Sequence, residues 1–598
     1  MTKITKILLL ALALLLVEIY TCSAQWSIKS QPGDKIKNGT QFQIFTPEGW
    51  EASNFATEKE MEWFNDARYG MFIHFGLSTY IGKELSWGMC YTRKAPDGGH
   101  GPIADSVWTK YPEKFVFEDF DARRWVEIAQ KTGMKYIVTI AKHHDGWHLW
   151  DTKYSDFKVT NTPFGRDYLK EIADACHEAG MKFGIYYSQR DWYHPDYAPV
   201  DTSLIIKHTG SYRSKPKPGV KEIKMGPTHQ KYIDYQFNVV RELCTNYGKV
   251  DVFWFDAVWH GGMFTADMWD AERLTRMIRE LQPGIIINNR ASVPGDFDTP
   301  EQKIGMYQQR PWESCMTLCS TWSWSDTPVK SKKELIRILT ATASGNGNIL
   351  LSWGPKWDGA FDPKQVERLE EVGDWLKKYG HTIYNTHGGP WYPENWGGST
   401  YKGNKVYVHV TDVLTDRLLL PVLNNRLKSV KCLTGGEIEY EQSSKAIVFD
   451  LTNADDTNES IIAELEFENK IHGMAPHRGQ LSKFSDPVYG SILWAKEELV
   501  GKEILCIDLK ETVHATGIAI GELTQSIKQK VKVEVSLDGK EWKEIAKEVP
   551  ERGKWELTVS NFSAGIQLPG VDTRYIRIRT TESDSPEFHV KSIVVYGK

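Results

Sequence analysis

The stretch QKYIDYQFNVVRELCTNYGKVDVFWFD, residues 230–256, decides the fold. Residues 230–246 place apolar side chains at helical spacing, Gly248 stops the helix, and 250–256 form an apolar run ending on Asp256. A helix feeding a short strand is half of a repeating βα unit. A strand without polar alternation has to be covered on both faces, as in a parallel sheet. The carboxylate that closes it is the first candidate functional group.

Outward from this unit the same alternation fills about 60–380. Strands are predicted at 70–75, 136–141, 182–188, 284–290 and 349–353, and helices at 122–131, 168–178 and 332–343, with Gly133, Gly180 and Gly345 as stop signals. Repeated βα units of this kind close most simply into a (β/α)8-type barrel, although fewer than eight strands stand out and the closure rests partly on spacing. After Pro363 a helix runs to Lys378, and strict alternation begins at 405–410, 418–423, 446–451 and 461–467. That pattern predicts a small antiparallel β-sandwich over 391–470, after a barrel domain over 25–390. A polar linker at 469–489 precedes further strands at 530–536, 575–579 and 590–596, with a turn at Asp538-Gly539. Residues 475–598 therefore read as a second β-sandwich.

At the N-terminus Lys3 and Lys6 precede an apolar run at 7–17, and Cys22-Ser23-Ala24 follow it. This reads as a signal peptide, residues 1–24, cleaved before Gln25, which sends the mature protein to the periplasm, cell surface or exterior. Cys22 offers lipoprotein anchoring as the alternative, against which Thr21 stands. No later stretch approaches the ~20 apolar residues of a membrane span. The cysteines left after cleavage, at 90, 176, 244, 315, 319, 432 and 506, are odd in number and irregular in spacing, which argues against a disulfide framework. A net charge of -5 without a basic block leaves no footprint for nucleic acid. The 23 Trp and 26 Tyr exceed core needs, and stacking on sugar faces is one use for the surplus.

Active sites of parallel barrels form where strands end, at the C-terminal face. Here His74 follows one predicted strand and His143, His144 and Asp145 another; Gln189, Arg190 and Asp191, then Asp256, then Asn288, Asn289 and Arg290 mark three more. Each residue alone is explained by a helix cap, a core hydrogen bond or a surface ion pair. Imidazoles, carboxylates and an arginine on successive strand ends make a polar cup instead. His74 with His143-His144 lacks a helical His-x-x-x-His partner set, and Cys315 with Cys319 forms no zinc pattern. There is no Gly-x-Ser-x-Gly elbow, and Gly345-Asn346-Gly347-Asn348 follows a helix without the Lys-Ser/Thr of a phosphate loop. Neither metal nor cofactor is expected. A carboxylate pair remains as the engine, Asp256 with Glu301 or Glu313, of the kind glycoside hydrolysis needs.

At these residues the chain resembles the α-L-fucosidases, glycoside hydrolase family 29. The matching segments, in order, are YGMFIHFG at 69–76, KHHDGW at 142–147, FGIYYS at 183–188, WFD at 254–256, NNR at 288–290, TPE at 299–301, PWESC at 311–315 and GNILL at 347–351. The resemblance implies a retaining exo-glycosidase acting on fucosylated oligosaccharides or glycoconjugates. Asp256 matches its nucleophile and Glu301 its acid/base, with Glu313 as the alternative, and the two working carboxyls are expected ~5 Å apart. His74, His143, His144, Tyr186 and Arg290 match positions that contact the sugar, and Trp87 matches an aromatic of the same pocket. One departure stands out: the family often has Glu before that tryptophan, whereas here Ser86 precedes Trp87 and the nearest acid is Glu84. Past residue 390 the first β domain resembles the family's C-terminal sandwich, and 475–598 resembles a discoidin-like or carbohydrate-binding module, which implies a jelly roll. Two other readings compete: the same chemistry on a related sugar such as an α-L-galactoside, and a glycan-binding protein with an inactive barrel. Linkage preference and oligomeric state are not legible.

Overall fold

The computed structural model describes residues 54–475 with short interruptions, chiefly at 91–100, 207–214, 257–265 and 412–416, and a set of strands between 492 and 597. Residues 1–24, expected to form a signal peptide, lie outside the described residues, Cys22 among them. Seven parallel strands form the first sheet: β1 (Tyr69–Ile73), β2 (Tyr136–Lys142), β3 (Lys182–Ser188), β4 (Val252–Asp256), β5 (Ile286–Ile287), β6 (Glu313–Thr317) and β7 (Asn348–Trp353). Their spatial order is β6-β7-β1-β2-β3-β4-β5. Every strand but β3 is buried along its whole length, and β3 everywhere but at Lys182, which is why these runs lack polar alternation. Helices α1 (Glu58–Ala67), α2 (Ala122–Lys131), α3 (Tyr168–Glu178), α4 (His229–Thr245), α5 (Ala271–Leu281), α6 (Lys332–Ser344) and α7 (Pro363–Tyr379) accompany the sheet. Asp121, Asp167, Ser331 and Asp362 cap α2, α3, α6 and α7 by accepting backbone N–H bonds.

The expectation of eight strands needs correction: among the described residues the parallel sheet has seven. Between its edge strands β5 and β6 lies an irregular segment, 296–302, tied to both sides by single parallel bridges. These pair Asn288 with Phe297, Asp298 with Trp312, and Glu301 with Cys315. Pro300 interrupts any ladder there because it has no N–H to donate, although its carbonyl accepts Cys315 N–H at 3.1 Å. The predicted strand 284–290 shrinks to two residues for a related reason. The chain turns into a 3-10 turn, Asn289–Ala291, and the Asn288 side chain replaces the missing ladder by pairing with both backbone groups of Phe255 at 2.9 Å.

Beyond α7 the chain builds antiparallel sheets. One joins β8 (His387–Gly388), β9 (Gly397–Lys402), β10 (Lys405–Val410), β15 (Ile461–Phe467) and β12 (Leu427–Cys432); the other joins β11 (Arg417–Pro421), β14 (Ala446–Asp450) and β13 (Glu439–Gln442). Val406, Val408 and Leu465 meet Leu418, Leu420 and Phe449 in one apolar cluster, so the two sheets share a core. From 492 onward seven strands form a single antiparallel sheet, its longest members Ile504–Leu523 and Phe562–Thr580. Among the described residues Cys176, Cys244, Cys315, Cys319 and Cys432 are free thiols, and no helix is long and apolar enough to cross a membrane.

Candidate active site

The strand ends of the parallel sheet surround a cavity of about 260 Å³. His74, Trp87, His143, His144, Tyr186, Asp256, Arg290 and Glu301 all line it, and Glu313 does not. The volume is small beside the ~300–1,000 Å³ of drug-sized sites, so it suits one monosaccharide ring.

Asp256 closes β4 and is 7% exposed. Tyr186, two residues before the end of β3, donates its hydroxyl to Asp256 Oδ2 at 2.6 Å. Arg290 Nη1 donates to Asp256 Oδ1 at 3.0 Å, and Nη2 donates to Glu301 Oε2 at 2.9 Å. One guanidinium therefore carries both carboxylates on neighbouring nitrogens. Arg290 is itself fixed by Nε–H to Thr299 Oγ1 at 2.9 Å and lies 4.6 Å over the Trp254 ring. Burial pushes the Asp256 carboxyl up from its ordinary value, and the Arg290 cation opposes that push. Glu301 is the more open of the pair, its side chain 31% accessible. A carboxyl reaching toward the mouth is placed to meet a departing oxygen.

The histidines are held by hydroxyls. His74 Nδ1 pairs with Ser352 Oγ at 2.8 Å, His143 Nδ1 with Ser86 Oγ at 2.6 Å, and His144 Nδ1 with Ser188 Oγ at 2.6 Å. Burial drives His74 down to about 3, with the Arg290 charge adding to it, and drives His143 well below its ordinary value. Both are neutral at physiological pH, and neutral imidazoles suit hydroxyl ligands. His143, His144 and Asp256 bring one ligand atom each within 4.8 Å of one another, a set that would admit a metal ion by spacing alone. Asp256 is already occupied by Tyr186 and Arg290, and the adjacent guanidinium opposes a second cation.

Glu313 sits at the start of β6, fully buried below the cavity. It accepts the Trp254 indole N–H at 3.0 Å and the Tyr136 hydroxyl, and burial raises it to about 7 against both bonds. Its place is under the aromatic floor, where Tyr186 and Trp254 stack at 5.5 Å. Arg190, Asp191 and Asp145, expected at the rim, are buried. Lys142 lies 3.2 Å from Asp191 and Asp145 accepts the Trp108 indole, so they brace the histidine loop.

The departure at Ser86 has a structural account. Its hydroxyl pairs with His143 and also accepts Asp145 N–H at 3.0 Å. Glu84 turns instead to the backbone N–H of Trp322, at 3.1 and 3.0 Å, and burial raises it to about 7. Sequence reasoning missed Phe72, Leu85, Trp254, Cys315 and Trp322 as cavity residues. Trp254, alternating with Asp256 along β4, carried a usable signal, because strand residues two apart share a face. Trp322 carried none.

Comparisons with known proteins point to one family. The family model for α-L-fucosidase matches residues 41–381. An α-L-fucosidase of Dictyostelium discoideum is 26% identical over 418 residues, spanning 64% of this chain and 85% of its own length. The solved α-L-fucosidase isoenzyme 1 of Paenibacillus thiaminolyticus is 33% identical with a TM-score of 0.58, covering 69% of this chain and 99% of that one. The α-L-fucosidase of Vibrio sp. strain EJY3, 21% identical with a TM-score of 0.64, extends the likeness of fold over 91% of this chain and 99% of its own.

Proposed function

The chain belongs to the α-L-fucosidase family, glycoside hydrolase family 29, and on that premise we propose that it is an exo-acting retaining enzyme that removes terminal α-L-fucose from exported-compartment glycans. Asp256 is the nucleophile and Glu301 the acid/base. The observation that carries this reading is the shared guanidinium, since Arg290 reaches Asp256 at 3.0 Å and Glu301 at 2.9 Å and so holds two carboxylates close together. A short separation suits a covalent intermediate, whereas a wide one leaves room for a water between sugar and base.

In the first half-reaction Asp256 Oδ attacks the anomeric carbon while the Glu301 carboxyl gives its proton to the departing glycosidic oxygen. The Tyr186 hydroxyl and Arg290 hold the Asp256 carboxylate in place and ionised until the ester forms. In the second, Glu301 takes a proton from water, which displaces Asp256 from the same face the aglycone left. His74, His143 and His144 bind ring hydroxyls, the first two as neutral groups, and Phe72, Trp87 and Trp322 offer flat apolar surface to the sugar's methyl group. A cavity for one ring supports exo action. The substrate class is fucosylated oligosaccharides or glycoconjugates met outside the cytoplasm, after loss of residues 1–24 and with no cofactor.

The test is Asp256→Gly on an aryl α-L-fucoside. Turnover should be lost, and azide added to the variant should return a fucosyl azide of inverted anomeric configuration. Full activity in Asp256→Gly overturns the assignment.

A further inference from the structure

Glu301 stands in the irregular segment that occupies the place of an eighth strand, so no ladder fixes its carboxyl. What holds the backbone on either side of it is one rung on β6. Cys315 N–H donates to Pro300 C=O at 3.1 Å, and Gln302 N–H donates to Cys315 C=O at 2.9 Å. Immediately after Glu301, Gln302 adopts φ +52°, in the left-handed region that a residue with a Cβ enters at a cost. Its side-chain amide compensates. Oε1 accepts Thr317 N–H at 3.3 Å and Nε2 donates to Thr317 Oγ1 at 3.1 Å, so the amide acts as a second rung beyond the first. Asn288 does the same on the opposite side of the segment, against Phe255.

We propose that Gln302 is the positioning residue for the Glu301 carboxyl. The inference rests on the reading of Glu301 as acid/base. The left-handed turn sends consecutive side chains to different places, Gln302 onto β6 and Glu301 into the cavity. With the amide clamp closed, the backbone of 300–302 is registered on β6, and Glu301 can leave the Arg290 ion pair toward a glycosidic oxygen without the loop following. With the clamp open, the single backbone rung on Cys315 and the Arg290 ion pair are left to hold Glu301, in a pose that accepts hydrogen bonds and does not deliver a proton.

The experiment measures kcat/KM, which reports the first half-reaction, over a series of aryl α-L-fucosides from dinitrophenyl to unsubstituted phenyl. A dinitrophenolate leaves without protonation and phenol does not. Gln302→Ala and Thr317→Val, which removes only the Oγ1 partner, should each lose about tenfold on the phenyl substrate while staying within about twofold on the dinitrophenyl one, a share of the 10²–10⁴ that general acid catalysis supplies. The double variant should lose no more than Gln302→Ala, because both changes break one clamp. Equal loss at both ends of the series, or no loss, overturns the proposal; Thr317→Val decides alone if Gln302→Ala does not fold. Glu301→Ala is the reference. If its own series is flat, the acid/base assignment fails and takes the proposal with it; if it is steep beside flat Gln302→Ala and Thr317→Val series, only the positioning role fails.

Discussion

Arg290 Nη1 lies 3.0 Å from Asp256 Oδ1, and both side chains are nearly shut off from solvent. The pair bears on the charge state of the proposed nucleophile. Burial raises the Asp256 carboxyl and Arg290 lowers it, so removing the cation leaves only the Tyr186 hydrogen bond against the upward push. Arg290→Met should therefore raise the Asp256 carboxyl further. Breaking one side of a buried ion pair costs ~3–5 kcal/mol, equivalent to about 10²–10⁴ in kcat/KM. A pH profile distinguishes this from lost binding. The acid limb of kcat/KM should shift upward, with part of the activity returning as pH rises; an unshifted limb counts against the account.

Glu313 gives a prediction about stability. Its folded-state carboxyl is raised to about 7, above the unfolded value of roughly 4.3, so the native state keeps a proton that the unfolded chain releases between these limits. Native stability then falls as pH rises through that window, by on the order of 3 kcal/mol. Glu313→Gln removes the ionisation while keeping an acceptor for the Trp254 indole. Thermal unfolding at pH 5 and pH 8 should show the unmutated protein losing more Tm across the interval than the variant. Parallel losses would mean that Glu313 does not titrate there.

How much of this was readable in the sequence differs from element to element. Lys182–Ser188 and Lys405–Val410 were legible to the residue, because runs rich in aromatic or β-branched side chains between turn signals have few alternatives. Glu313–Thr317 escaped notice as a strand because ESCMT has neither apolar continuity nor alternation, and its burial comes from neighbours on both sides. The cup at the strand ends was legible as chemistry, since a barrel gathers such residues wherever the chain leaves the sheet. Glu313 illustrates the limit: it stood in a family motif and was a reasonable acid, yet it begins a strand at the wrong end and faces Tyr136 and Trp254. The clamp between Gln302 and Thr317 had no signal at all, because it joins an irregular segment to a strand through side-chain atoms.

Glu84 ties the loop after β1 to the loop after β6 by accepting Trp322 N–H on both carboxyl oxygens, at 3.1 and 3.0 Å. Trp322 lines the cavity and its carbonyl accepts Ser352 Oγ, whose oxygen also pairs with His74. Glu84→Ala should loosen one wall without touching either reacting carboxylate. The expected result is KM raised about three- to tenfold, the worth of an ordinary hydrogen bond, at nearly constant kcat. A fall in kcat with KM unchanged would place Glu84 in the chemistry instead.

Asn288 and Asn289 are adjacent yet should fail differently. The Asn288 amide pairs with the N–H and C=O of Phe255, the residue before Asp256. Asn288→Ala leaves two buried backbone groups unsatisfied, about 2–4 kcal/mol of stability, and frees the end of β4 that carries the nucleophile. Asn289 instead donates to Asp298 at 3.1 Å and accepts Thr299 Oγ1 at 2.8 Å, bracing the segment that leads to Glu301. Nucleophile position matters to every substrate, whereas acid position matters only where the leaving group needs a proton. Asn288→Ala should therefore lower kcat/KM for dinitrophenyl and phenyl fucosides alike, and Asn289→Ala should lower it chiefly for the phenyl one. If the two variants gave the same dependence on leaving group, the division of labour between the two sides of the 296–302 segment would be wrong, because each asparagine holds only its own side.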